Sequence, residues 1–184
     1  GTKRVFATLR RLFGYRDLAV YLLAYLIYND GIQTVIVMAV PYGKEVLGLT
    51  AGTLMGTLVV IQIVGIPGSI LFGRAAEKWG AKRTILAGLV IWSIVVVYAW
   101  RMEHAWEFWI LGVFVGLVMG GTQAVSRSLY GRLIPAGHNA EFFGFLAMSS
   151  RFASFIGPLV FGLARDLTGS MRAGIVALIV FFLV

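Results

Sequence analysis

The sequence predicts an all-α membrane protein whose six transmembrane helices form an inverted three-plus-three repeat, and three observations lead to this prediction. First, 59% of the 184 residues are hydrophobic and only 13% are charged, with a mean hydropathy of +0.88. A soluble domain is closer to half apolar and a quarter charged. Second, the apolar residues form runs that are long enough to cross a bilayer. Third, the second half of the chain repeats motifs of the first half.

The predicted spans follow one another with short breaks that contain charges, glycine or proline. A helix needs about 20 apolar residues to cross the hydrocarbon core, and each of the first five segments reaches this length. The twelve residues after Arg172 would rise only about 18 Å as a helix, so we expect the chain to end inside its last span. Together the spans make one six-helix transmembrane unit over residues 18–184. They are predicted at 18–43, 50–79, 81–101, 106–134, 139–168 and 171–184.

The basic residues predict the orientation of these spans. Residues 1–17 form a basic amphipathic segment that we expect on the cytoplasmic surface, against anionic headgroups. With the N-terminus in the cytoplasm, eleven of the sixteen Lys and Arg residues fall on the inner side, within 3–16, 74–83 and 127–132. Four fall on the outer side, and Arg151 lies inside a span. The positive-inside rule therefore explains the net charge of +8 without a nucleic-acid partner.

Two stretches that lie 89 residues apart, GSILFGRAAEKWGAKR and GPLVFGLARDLTGSMR, form an internal repeat. Because each copy contains three spans, an odd number, the copies have opposite orientations, as in transporters that bind their solute near the midplane. The alternative is a chance likeness between two glycine-rich membrane segments. At this offset Gly68, Phe72, Gly73, Ala75, Gly80 and Arg83 match Gly157, Phe161, Gly162, Ala164, Gly169 and Arg172, Glu77 matches Asp166, and Gly31 matches Gly120.

The stretch FGRAAEKWGAKR between the second and third spans resembles the loop motif of the major facilitator superfamily. It departs from that motif in two ways, since Glu77 stands where Asp is usual and Ala81 displaces the basic pair by one position. The stretches YNDG, GGTQAVSRSLYGRLIP, EFFGF and GPLVFG resemble one branch of the superfamily, the vacuole effluxer family. The residues that fit the loop motif are Gly73, Glu77, Lys78, Gly80, Lys82 and Arg83.

This resemblance implies that the chain is the C-terminal six-helix half, spans seven to twelve, of a twelve-helix major facilitator fold. It implies a secondary active or facilitative transporter that works by alternating access. For the autophagy-related vacuolar permeases of this family, the implied solutes are amino acids leaving the vacuole. The implied partners are the lipid bilayer, a small polar solute with or without a proton, and the N-terminal six-helix half. The implied location is the plasma membrane in a bacterium or the vacuolar membrane in a fungus.

The first span contains one acidic residue, Asp30, deep within apolar sequence. It lies thirteen residues after Asp17, about 20 Å along a helix, where a charge costs at least ~2.5–3.5 kcal/mol. Together with Asn29, Gln33 and Thr34 it forms a polar patch one turn tall, which suits a local binding site for solute or proton. We expect Arg151, about 15 Å into the fifth span, to be its partner, and a zwitterionic solute could divide the pair. The alternatives are a purely structural ion pair and a carboxylate that caps a neighbouring helix.

Other polar residues extend this site. Gln62 in the second span and Gln123 in the fourth are candidates to bind solute, although a single amide can also join two helices. Arg127 lies about 32 Å from Trp106 along its helix, near the cytoplasmic edge, so we expect it at a gate or reaching towards water. The loop from Glu77 to Arg83 is a candidate gate whose ion pairs break on opening. The alternative is that its charges only fix topology.

The sequence argues against other classes of function. It has no cysteine, and His104 and His138 are far apart and outside the spans, so no metal or cofactor is predicted. No serine has a base within reach in a nucleophile elbow, so no enzyme is predicted, and an intramembrane enzyme is the least favoured alternative. No Walker A pattern is present, so ATP-driven transport would need another subunit. A non-transporting scaffold or receptor on the same fold is the main alternative.

Overall fold

The computed structural model of the chain describes residues 15–135 and 137–183, so most of the predicted cytoplasmic segment 1–17 lies outside the described residues. Every regular element within the described ranges is helical, which confirms the predicted all-α fold. The helices are α1 (Arg16–Leu47), α2 (Ala51–Trp79), α3 (Ala81–Arg101), α4 (Ala105–Leu133), α5 (Asn139–Ala153), α6 (Ile156–Thr168) and α7 (Met171–Ala177), and a 3₁₀-helix follows over Leu178–Phe182.

Five helical segments are long and apolar enough to cross a membrane, with α5 and α6 counted as one over Ala140–Thr168. The predicted sixth span appears as a shorter apolar helix, Met171–Phe182. Large apolar side chains face outward at helical spacing on α2, where lipid can cover them. The chain is therefore a multi-pass membrane protein. These outward residues of α2 are Met55, Val59, Ile63, Ile66, Ile70 and Leu71.

The predicted span 139–168 is made of two helices, because the segment breaks between α5 and α6 at Ser154 and Phe155. Pro158 explains the position of the break, since its ring would clash with the carbonyl of Ser154 in an unbroken helix. Proline alone does not end a helix here, because Pro41 and Pro67 lie inside α1 and α2. A second condition is therefore needed for the break. The backbone amide that loses its helical partner must find another hydrogen-bond acceptor.

Glycines let α2 and α4 approach each other along most of their length. A Cβ atom at Gly116 would lie 2.8 Å from the carbonyl oxygen of Ile61, and one at Gly120 would lie 2.6 Å from that of Gly65. Such distances are far below van der Waals contact, so only glycine fits at these two positions. The pair α2–α4 forms the most extensive helix contact of the described chain and is the scaffold on which the other helices pack.

The matched glycines of the two repeat copies have matched surroundings. A Cβ atom at Gly68 would overlap the backbone of Leu117 on α4, and one at Gly157 would overlap Thr34 on α1. Neither Gly73 nor its counterpart Gly162 has any atom within 4 Å of a built Cβ. The third pair ends helices with positive φ, which is 87° at Gly80 and 67° at Gly169. This agreement supports the predicted repeat. The three matched pairs are Gly68 with Gly157, Gly73 with Gly162, and Gly80 with Gly169.

Candidate functional site

A polar cavity of about 310 Å³ lies between α1, α4 and α5. Helix α1 contributes Tyr25, Asn29 and Gln33, which are spaced four apart and therefore lie on one face. Helix α4 contributes Arg127 to the lining. The remaining lining residues come from α5 and the break that follows it. They are Phe143, Leu146, Ala147, Ser150, Arg151 and Ser154.

Four of the predicted site residues meet in this cavity, namely Asn29, Gln33, Arg127 and Arg151. Arg127 had been expected at a gate, but the structure places it beside the other three. Gln62 does not join them because it is exposed on α2, and Gln123 is half-buried on α4 outside the cavity lining.

Asp30 is almost fully buried, with 2% of its surface exposed, but it does not line the cavity. One carboxylate oxygen, Oδ2, accepts a hydrogen bond of 2.7 Å from the backbone N–H of Gly157. In a continuous helix that amide would bond to the carbonyl of Ala153, so Asp30 supplies the partner that the break requires. The carboxylate thus caps the start of α6, which was one of the alternatives predicted from the sequence.

The predicted ion pair between Asp30 and Arg151 is not formed. Asp30 lies about 100° around the helix from Asn29, so it points towards α6 while its neighbour faces the cavity. The space beside Gly157 is tight, since a Cβ there would lie 3.1 Å from the carbonyl oxygen of Asp30. The other oxygen of the carboxylate, Oδ1, is buried and has no hydrogen-bond partner within residues 15–135 and 137–183.

Tyrosines on α1 attach this helix to α4 next to the cavity. The hydroxyl of Tyr28 donates to Ser126 Oγ at 2.7 Å, and that of Tyr21 donates to the carbonyl oxygen of Ser126 at 2.8 Å. Ser126 in turn donates to the carbonyl of Thr122 at 2.6 Å. The sequence signal for this cluster, which we did not use, is the spacing of Tyr21, Tyr25 and Tyr28 along one helix face. These contacts fix the turn of α4 that presents Arg127.

Charged side chains connect helices at the end of the molecule opposite the predicted gate loop. Arg165 at the end of α6 contacts Glu45 of α1 at 2.9 Å. Arg172 at the start of α7 donates hydrogen bonds of 2.7 Å each to the carbonyl oxygens of Trp100 and Met102, which end α3. These contacts join two pairs of helix ends on the predicted outer side, α1 with α6 and α3 with α7.

The predicted gate loop joins α2 to α3, and its charged side chains are exposed. Within the described part of the chain none of them forms an ion pair, so the predicted loop ion pairs are not present in this structure. The reason is geometric, because the acid Glu77 lies on α2 and the bases Lys82 and Arg83 lie on α3, each facing outward. Gly80 ends α2 between them with a positive φ of 87°.

Apolar membrane helices around a polar cavity with two arginines define the class of this chain, a multi-pass helical membrane protein. The comparison with known families identifies the family within this class. The profile of the family described as "Vacuole effluxer Atg22 like" matches residues 1–184. The chain therefore belongs to this family, within the major facilitator superfamily, as its motifs predicted.

Named relatives agree with this assignment. The chain is 41% identical over 182 residues to the "Uncharacterized MFS-type transporter YxiO" of Bacillus subtilis, covering 99% of this chain and 42% of that protein. It is 31% identical over 184 residues to "Autophagy-related protein 22" of Cryptococcus neoformans, covering 91% of this chain and 34% of that protein. The chain thus spans about two fifths or less of these relatives. The name of the Bacillus relative describes a transporter, in agreement with the class that the sequence predicts.

Proposed function

We propose that this chain forms one half of a secondary transporter that moves a small polar solute, such as an amino acid, by alternating access. The observation that carries the proposal is the polar cavity between membrane helices, with two arginine side chains facing it. Charged groups at membrane depth are costly, so they mark solute pathways more often than packing. In transporters built from inverted repeats the solute binds at this kind of position between helices of different copies.

We propose that the wall facing this cavity comes from an N-terminal six-helix half. Two observations support this arrangement, the six hydrophobic segments of the chain and its coverage of only 42% of the Bacillus relative. Alternating access then rocks one half against the other around the solute. In this proposal the segment 1–17 lies on the cytoplasmic side of the membrane. The membrane is the plasma membrane in a bacterium or the vacuolar membrane in a fungus.

We propose that the loop between α2 and α3 is half of the cytoplasmic gate. Its charged residues have no ionic partner among the described residues, so carboxylates and bases of the other half can complete the pairs in the closed state. The opposite end is already joined within this half, through Arg165 with Glu45 and through Arg172. The residues of the gate are Gly73, Glu77, Lys78, Gly80, Lys82 and Arg83.

Uptake by liposomes that hold the full-length protein tests the proposal. We expect radiolabelled solute from an amino-acid panel to accumulate or equilibrate in loaded liposomes and not in empty ones. A proton gradient distinguishes proton coupling, for which Asp30 is the candidate group, from facilitated diffusion. Binding of a solute without any uptake would overturn the proposal in favour of a receptor on the same fold.

A further inference from the structure

The cavity between α1, α4 and α5 has positive charge without a counterion. Arg127 and Arg151 reach it from different helices, and no carboxylate of residues 15–135 or 137–183 lies within 4 Å of either guanidinium. The acid nearest in sequence to the cavity wall, Asp30, is engaged by the Gly157 amide instead. Two guanidinium groups at one cavity without a neighbouring carboxylate favour an anion, because each presents several N–H donors and a positive charge.

Neutral polar groups complete the lining and are ready to bind. The side-chain amides of Asn29 and Gln33 form no hydrogen bond with the described residues, although Asn29 has only 7% of its surface exposed. The hydroxyls of Ser150 and Ser154 donate to backbone carbonyls of their own helix, at 2.8 and 2.6 Å, so their lone pairs are free to accept. The cavity therefore offers both donors and acceptors beside its two cations.

The size and chemistry of the cavity indicate the class of ligand. A volume of about 310 Å³ is at the small end of the ~300–1,000 Å³ range of ligand pockets. Guanidinium groups match a planar carboxylate with two parallel hydrogen bonds. Since the described cavity wall contains no acidic side chain, it has no carboxylate that would form an ion pair with the ammonium end of a zwitterion.

We infer that Arg127 and Arg151 form the subsite that binds the carboxylate of the transported solute. This inference rests on the proposed transport function and makes it more specific. This half of the transporter recognises the acid end of the solute, and any carboxylate that pairs with an ammonium end lies outside this cavity wall. Asn29 and Gln33 hydrogen-bond to the part of the solute next to the carboxylate. Asp30 is not part of the subsite.

Three forms of one solute test the inference in the full-length protein without any mutation. The probes are the amino acid that stabilises the protein best in a thermal-shift panel, its carboxamide and the matching acid that lacks the amino group. We expect the amide to bind at least about tenfold more weakly than the amino acid, since it loses the charged hydrogen bonds. Equal binding of amide and amino acid would overturn the inference while leaving transport itself intact. Absence of both binding and uptake for the whole panel would instead overturn the proposed function.

Arginine substitutions give an independent test. Arg127→Gln and Arg151→Gln should each weaken binding of the amino acid by about 10- to 100-fold and reduce the preference for it over its amide. Arg151→Lys keeps the charge without the planar pair of donors, so a smaller loss is expected. Arg132→Gln, on the exposed side of α4 outside the cavity, is the matched control and should bind normally. An unchanged preference in both glutamine variants, or equal competition by inorganic phosphate, would contradict a carboxylate subsite.

Discussion

Replacing Gly157 by alanine should destabilise the protein by about 2–5 kcal/mol. A built Cβ overlaps Thr34 Oγ1 and lies 3.0 Å from Thr34 Cβ, and Thr34 is held because its hydroxyl donates to the carbonyl of Asp30 at 2.8 Å. Overpacking of this kind costs ~1–3 kcal/mol. Moving α6 away also lengthens the hydrogen bond from Gly157 to the Asp30 carboxylate, a further ~1.5–3 kcal/mol for a charged acceptor. The gain in helix propensity offsets at most about 1 kcal/mol.

The matched control lies five residues further along the same helix. Gly162→Ala meets no atom within 4 Å, so only the propensity gain of up to about 1 kcal/mol remains. The repeat supplies a second pair, because Gly68→Ala overlaps the backbone of Leu117 while Gly73→Ala meets nothing. We therefore expect Gly68→Ala to destabilise and Gly73→Ala to be neutral or stabilising.

Thermal denaturation of the full-length variants in detergent, followed by tryptophan fluorescence, measures these differences. We expect Gly157→Ala to melt several degrees below Gly162→Ala, and the added substitution Thr34→Ala to recover part of the loss by removing the overlapping atom. Equal melting temperatures for the two glycine variants would refute the close approach of α1 and α6, and with it the capping of α6 by Asp30.

Three further predictions concern single side chains. Asp30→Asn keeps an acceptor for the α6 amide and should retain most stability, whereas Asp30→Ala should lose ~1–3 kcal/mol; equal melting of the two would contradict the cap, and unchanged uptake by Asp30→Asn would exclude the charge from the transport cycle. Tyr28→Phe removes a buried hydrogen bond and should lower stability by ~1 kcal/mol in the same assay, while Tyr25→Phe, whose hydroxyl has no partner among the described residues, serves as the near-neutral control. Glu77→Gln should change the rate of uptake without changing orientation, which labelling of single introduced cysteines reports because the chain has none of its own; an inverted topology would show that the charge only orients the loop.

The first four helices could be predicted closely from the sequence, because apolar length and charged or glycine-rich breaks are local signals. The break before α6 could not. Its signal, Pro158, is the same in kind as Pro41 and Pro67, which lie inside unbroken helices. Pro158 differs because the amide freed next to it, that of Gly157, donates to the carboxylate of Asp30. Asp30 lies 127 positions before Gly157 in the chain. Such a contact depends on tertiary packing and leaves no local pattern.

Part of the site was predictable, because polar residues inside an apolar span are also a local signal. Asn29, Gln33 and Arg151 were selected as polar residues at membrane depth, and they do line one cavity. Arg127 was assigned to a gate because counting residues along a helix gives its depth but not the cavity that it faces. The tyrosines of α1 position that arginine through Ser126, and their role appears only when α1 and α4 are placed side by side.

The arrangement of charges also explains why the cavity keeps its positive potential. One acid and an arginine at similar depth would be expected to neutralise each other, since pairing lowers the cost of burying both. Here Asp30 has no arginine partner in the part of the chain that the structure describes. Its carboxylate instead accepts a hydrogen bond from the backbone amide of Gly157, which the break at Pro158 leaves without its helical partner. The amide carries no net charge, so it stabilises the carboxylate without consuming a cation. Both arginines consequently remain without a carboxylate partner among the described residues, and the cap that Asp30 gives to α6 is what leaves them available for the anion of the proposed subsite.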